Sequence, residues 1–137
     1  MGHRILRSET AFWRPSRLMG VENCDLAGQL GTPGLGARLW RLHPGQANTR
    51  HRHRTETEVY VLLEGRGRMR VDEELLTLTP MSAVAVDPET VRQVFNDTAA
   101  DQLWLIIGAP AEPRPTADDI PYMYPDGPKA LPRELVG

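Results

Sequence analysis

The sequence predicts an all-β protein, an antiparallel sandwich or barrel, and three observations carry that prediction. Short apolar or alternating runs recur at close spacing, at residues 37–43, 59–63, 68–71, 75–78, 84–86, 91–95 and 103–107. Turn-forming residues separate them, and no stretch sustains a helical period. Short strands closed by turns at this density build sandwiches and barrels.

Each run can be justified in order. Residues 2–8 mix Arg4 and Arg7 with Ile5 and Leu6 and read as a short edge strand. From Phe12 to Gly36, two prolines and five glycines punctuate the chain, which leaves either one or two short strands crossing outside the barrel or a loop packed on its own domain. In 37–43, Leu39 faces away from Trp40 and Leu42, and Pro44-Gly45 ends the strand as a turn. Gly65-Arg66-Gly67 connects tightly into a strand with Arg68 and Arg70 on one face and Met69 and Val71 on the other, the alternation of a half-solvated strand. Residues 72–74 turn the chain, 75–78 return it, and Asn96-Asp97-Thr98 forms a further turn. After Gly108, prolines at 110, 113, 115, 121, 125, 128 and 132 exclude a central strand or a helix interior. The chain therefore divides into an N-terminal strand and loop segment, 1–36, a barrel core, 37–109, and an extended proline-rich tail, 110–137, lying across the barrel or a neighbouring subunit with Tyr122 or Tyr124 as anchors.

Composition narrows the function. At 137 residues the chain is one domain able to bury roughly two-thirds of its unfolded surface. A net charge of −2 gives no general attraction to nucleic acid or to anionic membranes. Arg50, Arg52 and Arg54 form a basic stripe, but Glu56, Glu58, Asp72, Glu73 and Glu74 weaken it, and no aromatic platform accompanies it. The single cysteine, Cys24, excludes an internal disulfide and reads as a buried thiol. No apolar run approaches the roughly 20 residues of a membrane span, and the start lacks a signal-peptide apolar region, so no membrane partner and a cytoplasmic setting are expected.

The chemistry lies between Gly45 and Gly65. His51 and His53, two residues apart, point the same way on extended chain and can share one ion. Glu58 has the wrong parity for that strand, so residues 54–57 must turn the chain and bring Glu58 back to face the imidazoles. The spacing G-x5-H-x-H-x4-E-x6-G at Gly45, His51, His53, Glu58 and Gly65 resembles the first signature motif of the cupin superfamily. Residues 81–96 resemble the second in length, apolar strand, Pro88 and Asn96, but Met81-Ser82 replaces Gly-Asp and Arg92 takes the place of the fourth family ligand.

The resemblance, over residues 35–110, implies a double-stranded β-helix or jelly-roll barrel. It also implies a divalent transition metal, Fe, Mn, Ni or Zn, held by His51, His53 and Glu58, with reactions of the dioxygenase, decarboxylase or isomerase kind on small polar metabolites. Open positions on such a centre would activate O₂ or polarise a carbonyl. Leu62, Trp104 or Ile106 would wall the cavity, and Tyr60 offers a hydroxyl beside Glu58 or the substrate. A guanidinium cannot ligate metal, so Arg92 has two open roles. It either pairs with Glu58 in a metal-free pocket or, the preferred role, reaches past the ion to hold an anionic substrate. A non-catalytic or sensory cupin holding a small acid is the alternative function. A homodimer is expected from the family's habit and from the apolar surplus of both terminal segments.

Overall fold

The computed structural model describes residues 2–136, and its nine strands form two antiparallel sheets. In chain order these are β1 (Arg14–Pro15), β2 (Glu22–Asp25), β3 (Gly36–Leu42), β4 (Thr57–Glu64), β5 (Gly67–Val71), β6 (Glu74–Leu78), β7 (Ala83–Val86), β8 (Arg92–Phe95) and β9 (Gln102–Ala109). One sheet has the order β1-β2-β3-β9-β4-β7 and the other β6-β5-β8. The architecture is the antiparallel jelly roll expected, and the strands from 36 onward fall on the apolar runs of the sequence.

Facing follows from register. Tyr60 lies opposite Ile106 and Val84, and Trp104 lies opposite both Leu62 and Trp40. These residues, with Leu42, Met69, Val86 and Val94, form the core between the sheets. Fully burying each large side chain contributes about 1.5–3 kcal/mol. Met69 is buried while Arg68 and Arg70 beside it are only partly covered, as the alternation requires. Gly67 sits against Trp104 and Leu62, where a Cβ would come within 3.0 Å of the indole. A side chain there would push apart the closed end of the core.

Several local expectations need correction. Residues 2–8 form no strand, because Arg4 hydrogen-bonds instead to the carbonyls of Leu30 and Gly31 at the end of a short helix. That helix, α1 (Leu26–Leu30), has Asp25 capping the Gly28 amide at 2.9 Å and Gly31 closing it in a left-handed conformation, both recognisable stop and start signals. The tail contains a second short helix, α2 (Ile120–Met123), and a 3₁₀ turn at Arg133–Leu135. It lies across the barrel. Tyr122 is held between the guanidinium groups of Arg52 and Arg54, 4.0 and 4.1 Å from its ring centre, Gln93 donates to the Ala130 carbonyl, and Arg70 pairs with Glu134. Cys24 is a free, buried thiol. Among the described residues no helix is long and apolar enough to cross a membrane.

Candidate metal centre

The stretch carrying the two histidines is an extended loop laid along β8 rather than a strand. Pairing is intermittent: Asn48 N donates to Val94 O, His51 and Arg92 exchange both backbone hydrogen bonds at 2.9 and 3.0 Å, and His53 N donates to Pro88 O. This anchoring fixes both imidazoles on one side, with their rings 5.0 Å apart and near-perpendicular. Glu58 arrives from β4, on the inward face beside Tyr60, opposite Gly108 and Val86. His51 Nε2 is 3.3 Å and His53 Nε2 3.5 Å from Glu58 Oε1. The three expected donors therefore converge.

The second nitrogen of each ring indicates what the first must do. His51 Nδ1 lies 3.0 Å from the Thr49 carbonyl, which can only accept, so this nitrogen carries the hydrogen. His53 Nδ1 lies 3.1 Å from Glu112 Oε2, whose charge favours the hydrogen on this nitrogen although the two are not aligned as a hydrogen bond. In neutral imidazoles both Nε2 atoms then aim lone pairs at a carboxylate oxygen. Three such acceptors facing one another could be reconciled by a metal ion or by a proton on an imidazole. Their spacing suits a metal, since ligands at about 2.1 Å in tetrahedral array are about 3.4 Å apart. Both ring nitrogens of His53 are buried without an aligned hydrogen-bond partner, and Nε2, facing Glu58, is the one placed to meet an ion.

Arg92 is where the second motif departs from the family pattern. The first residue of β8, it is fully buried, with Nε 3.2 Å and Nη2 3.1 Å from Glu58 Oε1. Its Nη1 donates to the carbonyls of Thr90, Pro88 and Asp87 at 2.7, 3.0 and 3.4 Å, so the loop before β8 fixes the guanidinium from behind. Tyr60 donates to Glu58 Oε1 at 2.7 Å and accepts from Arg92 Nε at 3.3 Å. The preferred expectation for Arg92, a side chain reaching past an ion to a substrate, is thus not what the fold does. The three carbonyls hold it against Glu58, behind the cavity wall.

These contacts set the charges. Burial alone would raise the Glu58 carboxyl, but in the metal-free chain hydrogen bonds from the protonated rings of His51 and His53, and then the Arg92 charge, hold it well below its ordinary 4.5. Burial depresses His53, yet Glu58 outweighs it and raises the imidazole above its ordinary 6.5. Burial and the neighbouring Glu58 charge push the Tyr60 phenol well above 10.0, so Tyr60 stays a neutral donor. A dication held by these donors would be repelled by the nearby Arg92 guanidinium, and the Glu58 carboxylate that contacts Arg92 would offset part of that cost.

The donors open onto a cavity of about 620 Å³, within the usual range for small-ligand sites. His51, His53, Glu58 and Tyr60 form its polar floor, and Trp40, Val94, Ile106, Met19 and Met123 form apolar walls. Of the three residues expected as walls only Ile106 lines it. Leu62 and Trp104 are fully buried deeper in the core, one inward layer below the carboxylate. Sequence reasoning missed Glu56, Thr49, Asn48 and Arg38, which also line the cavity. The inward parity of Arg38 with Trp40 and Leu42 was the available signal. It also missed Glu112, for which nothing in the tail's spacing gives a cue.

A family model for the cupin domain matches residues 38–108, just over half of the chain. The protein belongs to the cupin family. Among solved structures, this cupin is similar to a sugar phosphate isomerase of the cupin superfamily from Silicibacter pomeroyi, at 25% identity and a TM-score of 0.70 over 79% of this chain and 76% of that one. A predicted oxalate decarboxylase from Thermotoga maritima shares 18% identity with a TM-score of 0.70, covering 79% of this chain and all of that one, 100%. KdgF from a Halomonas species gives 18% identity and 0.69, over 80% and 96%. The last two likenesses show the fold alone. No protein of curated function matches the sequence.

Proposed function

We propose that this cupin holds one divalent transition metal through His51 Nε2, His53 Nε2 and Glu58 and uses it to bind, and in an active form to transform, a small polar metabolite in the cavity above. One observation carries the reading: two imidazole nitrogens and a carboxylate oxygen converge, each nitrogen 3.3 or 3.5 Å from the oxygen, the donor set and spacing of a transition-metal site. When bound, such an ion supplies a Lewis acid with open positions. The chain's own residues do the rest. Thr49 and Glu112 orient the imidazoles, Tyr60 and Arg92 orient Glu58, and the apolar walls select a compact ligand. The Silicibacter pomeroyi likeness supports a small polar substrate.

A second reading rests on the direct Arg92–Glu58 pair. In it, protonated imidazoles rather than a metal supply the missing positive charge, and the cavity binds its ligand without catalysis. Equilibrium dialysis of untagged protein against Fe(II), Mn(II), Ni(II) and Zn(II), followed by elemental analysis, separates the two. One ion per chain, and stabilisation by small carboxylates or sugar phosphates only in the loaded protein, is the expected result. Refusal of all four metals would leave the second reading standing.

A further inference from the structure

Glu112 enters the centre from outside the segment that matches the family. It follows β9 in the proline-rich tail, and the fold takes some care to seat it. Ala111 N donates to the Gly34 carbonyl at 3.1 Å, and Glu112 N donates to Glu56 Oε1 at 2.9 Å. Glu56 can reach that amide because residue 108 is glycine: a Cβ there would collide with the Glu56 carboxylate. The Glu112 carboxylate then accepts the backbone amides of Arg54, Thr55 and Glu56 at 3.1 to 3.4 Å and presents Oε2 to His53 Nδ1 at 3.1 Å. Both partners are largely buried, with 12% of the His53 and 14% of the Glu112 side chain exposed.

His51 has a backbone carbonyl behind it, from Thr49, two residues away. His53 has no local acceptor in that position; instead the Glu112 carboxylate, 59 residues further along the chain, brings its negative charge to 3.1 Å of Nδ1, close but not aligned as a hydrogen bond. We infer that Glu112 is a positioning residue for His53, fixing the tautomer and ring orientation that leave Nε2 free for a metal, and that the tail is thereby part of the functional site. A carboxylate behind a ligating imidazole also increases its basicity. The inference rests on the metal reading above for its consequence, but the tautomer itself is a property of the metal-free chain.

A purely structural role, capping the 54–56 amides, predicts something different. Glutamine at 112 offers an oxygen to the same amides but is neutral, so it accepts more weakly from an imidazole N–H. Histidine ¹⁵N spectra of metal-free wild type, Glu112→Gln and Glu112→Ala, recorded where the imidazoles are neutral and with His53→Ala for assignment, read the tautomer. Zn(II) competition titrations of the same proteins read its consequence. We expect Nε2 of His53 unprotonated in wild type and progressively protonated in the Gln and Ala variants, with affinity falling on the order of 10-fold and then up to 100-fold. Should the alanine variant lose the folded signals of residues 54–56, the glutamine variant decides alone. A glutamine variant matching wild type in both His53 shifts and affinity would overturn the inference. Wild type that takes up no Zn(II) would count against the metal reading, while the tautomer series would still test Glu112.

Discussion

The two halves of the cavity floor follow opposite chemistry. Residues 45–65 deliver three acceptors that need a cation, and residues 81–96 deliver a cation where the family pattern would place a further acceptor. Both halves are equally well anchored, since His51 and Arg92 are hydrogen-bonded to each other through the backbone. The difference therefore lies in the side chains alone. It shows that one fold can preserve the position of a ligand while changing the sign of what stands there, so that on the proposed reading Glu58 would serve a metal as well as Arg92.

The largest effect should come from the acceptor half. His51→Ala or His53→Ala should abolish stoichiometric metal binding while leaving the fold intact, because removing one of three protein ligands leaves a site that buffer can outcompete. Elemental analysis after dialysis, beside a thermal melt, checks both parts. Full metal retention in both variants would move the ion elsewhere, and the second cluster of His53, Glu56 and Glu112 would be excluded by the His53 variant alone.

The cation half should show itself in stability. Arg92→Ala leaves Glu58 buried without its fixed partner and three carbonyls without a donor, which should cost about 3–5 kcal/mol in denaturant titrations of the metal-free protein. Adding metal should recover part of that loss, because the ion then takes over neutralising Glu58. Equal losses with and without metal would mean that the two cations do not share the carboxylate.

A smaller, pH-dependent effect separates the halves further. In metal-free protein, Glu58 is depressed, so its stabilisation is present above its ordinary 4.5 and is lost as pH falls through the lower folded value. His53 is raised, so its stabilisation is present below 6.5 and is lost as pH rises through the higher folded value. Metal-free melts should therefore fall on the alkaline side, and His53→Gln should flatten that limb. Metal-loaded protein should show the opposite slope there, since protons compete with the ion for the imidazoles. Identical alkaline slopes with and without metal would argue that His53 does not ligate.

Much of this was legible in the sequence, for definable reasons. Alternation of Arg68 and Arg70 with Met69 and Val71 gave strand and facing, because a half-covered strand allows only one pattern. The spacing of His51, His53 and Glu58 gave the converging donors, since local geometry fixes it. What remained hidden depends on side-chain reach and on distant chain. Arg92 could be placed facing inward, but only the curl of the carbonyls at Asp87, Pro88 and Thr90 decides that it turns to Glu58. Glu112 carries no local signal, because its partners lie 56 to 59 residues earlier, from Glu56 back to His53. The short α1 was readable from Asp25 and Gly31, yet five residues interrupted by Gly28 were too few to show a period.

The central claim is that Arg92 stands in for a metal ligand and weakens, without removing, a three-donor centre. Calorimetric titration of wild type and Arg92→His with Mn(II) or Ni(II), side by side, tests it most directly. The account predicts one ion bound by each protein, with the histidine variant at least about tenfold tighter, because it gains a donor and loses the opposing charge worth on the order of several kcal/mol. Equal or weaker binding by a folded histidine variant would contradict it.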